Sequence, residues 1–128
     1  MVSSRGLWIA LMVSVLLLLA AGSSGAGEAD VIAVEVEQTA PGVYAFQVTL
    51  LHEDEGWDHF ADRWDILAMD GTLLGSRVLA HPHVDEQPFT RSLSGVAIDP
   101  SITEVVVRAH DSVHGEGGVA VTVALPGM

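Results

Sequence analysis

From Val31 onward the chain alternates apolar and polar positions in short, valine-rich runs separated by glycine, proline and aspartate. That period of two is the signature of half-buried β-strands, and no stretch of useful length carries a 3.6-residue helical period. V31-I-A-V-E-V-E-Q38 reads as a first strand with Glu35 and Glu37 facing water. After the Pro41-Gly42 turn, V43-Y-A-F-Q-V-T-L-L-H52 reads as a second, with Tyr44, Phe46, Val48 and Leu50 on its inward face. R63-W-D-I-L-A-M-D70 places Trp64, Ile66 and Ala68 on one side and Asp65 on the other. Asp70-Gly71 is a hairpin signal leading into T72-L-L-G-S-R-V-L-A80. Weaker alternation over 93–98, a D99-P-S101 turn, I102-T-E-V-V-V-R-A-H110 and V119-A-V-T-V-A-L125 complete seven strands. The prediction is an all-β chain, a two-sheet antiparallel sandwich of immunoglobulin or fibronectin type III kind with Trp64 buried between the sheets; a cupredoxin-like or jelly-roll sandwich is the rival.

The first 26 residues have a different pattern. One arginine, a long apolar run and then small residues form a secretory signal peptide, with Ser24 and Ala26 at the small positions before a cut ahead of Gly27. This predicts a signal peptide over 1–26, a short tail over 27–30, and a single domain over 31–126 in the periplasm or outside the cell, with no stable membrane insertion once the signal is removed. A retained membrane anchor is the alternative. The chain has no cysteine, so disulfides, thiolate metal sites, iron-sulfur clusters and cysteine nucleophiles are excluded.

Beyond residue 26 there are 17 carboxylates, four arginines and no lysine, a formal charge of −13. Such a surface repels nucleic acid and favours cations or a basic protein partner. The histidines change the picture further. Alternating strand directions carry the loops after the second, fourth and sixth strands to one end, and all six histidines fall there: His52 and His59, His81 and His83, His110 and His114.

The phrases H52-E-D-E-G-W-D-H, A61-D-R-W64, H81-P-H-V-D-E-Q-P-F-T-R91 and R108-A-H-D-S-V-H-G115 resemble the motifs of a family of small exported bacterial proteins of uncharacterised activity. The resemblance spans nearly all of 31–126 and implies an exported domain, without implying a chemistry.

Three readings follow from the residues. The first is a divalent transition-metal site whose imidazole ligands come from different loops, with Asp54, Asp58, Glu86 and Asp111 as supporting or alternative ligands. Imidazole and carboxylate donors without thiolate suit Cu(II) or Zn(II). The second is a recognition surface for a basic protein or a carbohydrate, anchored by Trp57 and Phe60 over an interlocked histidine, aspartate and arginine network. Exposure of Trp57 would favour this reading, whereas Trp57 as a cap over the core, the expected arrangement, favours the network or the metal site. The third is a small metal-dependent enzyme. Ser112 stands between Asp111 and His114, but no nucleophile elbow frames it, so binding is favoured over catalysis. Gly115, Gly117 and Gly118 are expected to tighten the last turn.

Overall fold

The computed structural model describes residues 27–127, and the signal-peptide reading of 1–26 lies outside them. Seven strands follow in chain order: β1 (Asp30–Ala40), β2 (Val43–Leu51), β3 (Ala61–Ala68), β4 (Leu73–Val78), β5 (Phe89–Ala97), β6 (Glu104–Asp111) and β7 (Val121–Ala124). They form two antiparallel sheets, β1-β2-β5 and β4-β3-β6-β7, packed face to face. Among the described residues no helix is long and apolar enough to cross a membrane.

Side-chain alternation explains the packing. Tyr44, Phe46, Val48 and Leu50 of β2 are buried with Val31, Val34 and Val36 of β1, while Glu35 and Glu37 face outward. A register shift between Val31 and Ala33 restores the inward phase after one extra residue. The opposite sheet contributes Trp64 and Ile66 from β3, Val105, Val107 and Ala109 from β6, and Val121 and Val123 from β7. Trp64 is fully buried, as its place in the third strand predicts. Each such large side chain contributes about 1.5–3 kcal/mol through removal from water.

β5 begins at Phe89, four residues before the strand predicted from Leu93. Thr90, Arg91 and Ser92 obscure the alternation, but Phe89 is buried and pairs with Leu50. Gly95 sits in a bulge. Its φ is +70°, and Ser94 and Gly95 together oppose Ala45 alone.

Asp65 points to the outer face of the second sheet and is nevertheless buried. Ser76 and Arg63 donate to its carboxylate, Arg108 lies 3.9 Å away, and both arginines also reach Glu116. Asp65, Arg63 and Arg108 with Glu116 thus form the arginine-containing part of the network expected from sequence. Arg91 instead pairs with Glu86, and Trp57 lies outside it with 69% of its surface exposed.

Hydrogen bonds fix which loops meet. The His52 amide donates to Gln87, the Ser112 amide to the Phe60 carbonyl, and the Val31 amide to the Val119 carbonyl. The loops after β2, β4 and β6 and the start of β1 therefore share one end. The Asp70-Gly71 hairpin and the Asp99–Ser101 turn lie together at the other.

Candidate metal centre

His52 directly follows β2, and Asp111 is the last residue of β6. His59 is brought beside them by a tight turn. Gly56, at φ +113°, bridges to His59, and the Glu55 amide donates to the His59 carbonyl at 2.8 Å. A glycine accepts that backbone conformation readily.

The three side chains converge on one carboxylate oxygen. Asp111 Oδ2 faces Nε2 of His52 and lies 2.8 Å from Nε2 of His59. One donor atom from each residue falls within 4.8 Å of the others, a spacing that a single ion can bridge. The Gly27 carbonyl oxygen joins them, 2.9 Å from Nε2 of His52 and 3.2 Å from Nε2 of His59.

The remaining atoms of these side chains are already engaged. Nδ1 of His52 bonds to Asp54 Oδ1, and Nδ1 of His59 lies 2.7 Å from Glu55 Oε1. Asp111 Oδ1 accepts from the amides of Val113 and His114 at 2.6 and 2.7 Å. Asp54 is held in turn by the amides of Ala61 and His83. Carboxylates behind ligating imidazoles orient the rings and make them more basic.

This leaves an electrostatic question at the centre. Both ring nitrogens of each histidine face oxygen acceptors, whereas a neutral imidazole has only one N–H to donate. A cation at the shared position, with each Nδ1–H donating outward, would satisfy these contacts, as would a second proton on each ring. The two arrangements place the same charge among the buried carboxylates, two added protons or one divalent ion. Both satisfy the requirement that buried charge be paired.

The hydrogen bond to Glu55 raises the His59 pKa above its usual value against the opposing effect of burial, with Gly27 and Asp111 adding to the rise. Burial would raise Asp111, but the His114 and Val113 amides and the nearby His52 and His59 outweigh it and hold the carboxyl low. Both shifts favour the ionised cluster.

The other sequence candidates lie outside this cluster. His114 is half-exposed at its rim, its ring 5.0 Å from that of His59 and its Nδ1 3.3 Å from Asp111. His110 bonds to Asp62 at 2.6 Å. His81 is exposed, beside a buried His83 stacked on Phe89 at 4.0 Å, neither of whose ring nitrogens has a hydrogen-bond partner among the described residues. Asp58 and Glu86 are exposed. Trp57 makes an edge contact with Phe60 at 5.6 Å and does not cap the core.

Sequence reasoning missed Glu55 and Gly27. The four-residue interval from Glu55 to His59 was the available signal for the first. A main-chain carbonyl leaves no comparable signal for the second.

No protein-family model matches the chain, and no solved structure matches it significantly. One curated relative, from Halomicrobium mukohataei and named "Putative lipoprotein", is 42% identical over 96 residues. The match covers 75% of this chain and 47% of the relative, so the chain spans about half the length of the curated relative it matches.

Proposed function

We propose that this is an exported protein that binds one divalent transition ion through His52, His59 and Asp111, as a carrier, sensor or structural site. The supporting observation is the shared position among His52 Nε2, His59 Nε2 and Asp111 Oδ2, with a carboxylate behind each imidazole. Two imidazoles and a carboxylate suit Zn(II) or Cu(II) and would be a poor use of histidine for calcium. The relative's name supports export, together with the apolar leader; this chain has no cysteine to carry a lipid. The division into β1-β2-β5 and β4-β3-β6-β7 supports a fibronectin type III-like sandwich.

Metal analysis of untagged protein purified without chelator from its native compartment is the direct test. In melts with Zn(II), Cu(II), Ni(II) and Ca(II), an ion at about 100 times its Kd should stabilise the fold by about 2.7 kcal/mol. Binding should also release protons as pH falls toward about 6.5, because the ion displaces protons from Nε2. Equal shifts from all four ions would reject a specific site. No shift from any transition ion would leave the doubly protonated network in its place.

A second reading is recognition of a basic protein segment or a carbohydrate. It is supported by the exposure of Trp57 within the loop that carries His52 and His59. Loss of partner capture in Trp57→Ala with unchanged metal affinity would separate it from the first.

A further inference from the structure

Gly27 stands at two boundaries: the residue before which the leader would be cut, and the residue whose carbonyl reaches the histidine cluster. The chain around it is fitted closely. A Cβ on Gly27 would lie 2.5 Å from Cε1 of His114, so no larger residue fits there without moving the imidazole. Glu28 lies against Gly117 and the Ala29 carbonyl against Gly118, where added Cβ atoms would come within 2.2 and 2.0 Å respectively. Asp30 accepts from the Val119 amide at 2.8 Å, and the Val31 amide donates to the Val119 carbonyl at 2.9 Å. Residues 27–31 are thus seated along the β6–β7 loop, with the Gly27 oxygen directed at both Nε2 atoms.

We propose that removal of the leader completes the metal centre: hydrolysis of the Ala26–Gly27 bond exposes the Gly27 α-amine, which binds the ion together with the Gly27 carbonyl. In that step an export peptidase adds water across the peptide bond. The carboxylate is left on Ala26 and the amine on Gly27. The nitrogen is three bonds from the carbonyl oxygen, so the two donors close a five-membered ring on one ion. An α-amine has an ordinary pKa of about 7.7–8.0, which makes its lone pair available near neutral pH. A donor tethered to an existing ligand acts at high effective concentration. The unprocessed chain holds this nitrogen as an amide, so the site would mature only on export.

The inference rests on the metal reading above, and the composition provides a test that separates the two. With no lysine in the chain, the α-amine is the only primary amine. Intact mass of the exported protein should place the first residue at Gly27. Acetylation of the metal-free exported protein should weaken Cu(II) binding on the order of tenfold or more, and prior loading with Cu(II) should protect the amine from acetylation. The electron paramagnetic resonance of the Cu(II) form should show coupling to three nitrogens, reduced to two after acetylation. Equal Cu(II) affinity before and after acetylation, with no protection, overturns the amine assignment and leaves the metal site standing, as does a first residue other than Gly27. Failure of both forms to bind Cu(II) or Zn(II) overturns the metal reading itself.

Discussion

Asp54 shows how one buried carboxylate can serve structure and site together. It bonds to His52 Nδ1 while accepting from the amides of Ala61 and His83, so it joins the β2–β3 loop to the β4–β5 loop. Asp54→Asn should weaken transition-metal binding by roughly 10–100-fold, as removal of an orienting carboxylate commonly does. His81→Ala, outside the cluster, should leave affinity unchanged; titration calorimetry of the two variants provides the comparison. His83 gives a pH prediction of known sign. Burial, reinforced by Arg91 and His81, lowers its pKa. Between that lowered value and about 6.5, the unfolded chain takes up a proton that folded His83 refuses, so stability falls with pH across this window. His83→Phe preserves the stacking on Phe89 and removes the titrating group. Metal-free denaturant melts of this variant should therefore lose less stability between pH 7.5 and 5 than the parent does. His59 works in the opposite direction: its raised pKa gives stability that is full below about 6.5 and declines as pH rises through the folded value. Both proteins retain that contribution, so it cancels in the difference.

At the scale of elements, the β6–β7 loop is shaped by what lies against it as much as by its own turn. Gly115 has a positive φ of +73°, as a tight turn requires, but Gly117 and Gly118 are there for close approach. A methyl group on Gly118 meets backbone at Ala29, which cannot rotate away, whereas one on Gly117 meets the end of the Glu28 side chain. Gly118→Ala should cost about 1–3 kcal/mol by overpacking, with Gly117→Ala costing clearly less; thermal melts would show the order. The strands were legible in the sequence because alternation and turn residues are local signals, as in Tyr44 to Leu50 and at Asp70-Gly71. The meeting of the β2–β3, β4–β5 and β6–β7 loops followed from strand direction. What did not follow was which side chains face one another inside that end. Asp111 read as a supporting carboxylate yet lies between His52 and His59, while His110, one residue earlier, turns instead to Asp62. The closeness of Gly27 to the cluster depends on contacts between residues 27–31 and the distant β6–β7 loop, which no local pattern records.

For the whole molecule, the formal charge of −12 keeps copies apart at long range, but that repulsion fades beyond about 8 Å at physiological salt. At shorter range the shape of the sheet borders decides. β5 is the outer strand of its sheet, and its free side would offer amides and carbonyls to another chain were it straight. The bulge at Ser94-Gly95 breaks that row and twists it. The consequence concerns colloidal behaviour rather than folding: at the β5 border, one glycine guards against edge-to-edge pairing of sheets between molecules. Deleting Ser94 while replacing Gly95 with valine would give β5 an uninterrupted alternating border. The folded variant should then self-associate as salt rises, seen as increasing light scattering under conditions where the parent stays dispersed.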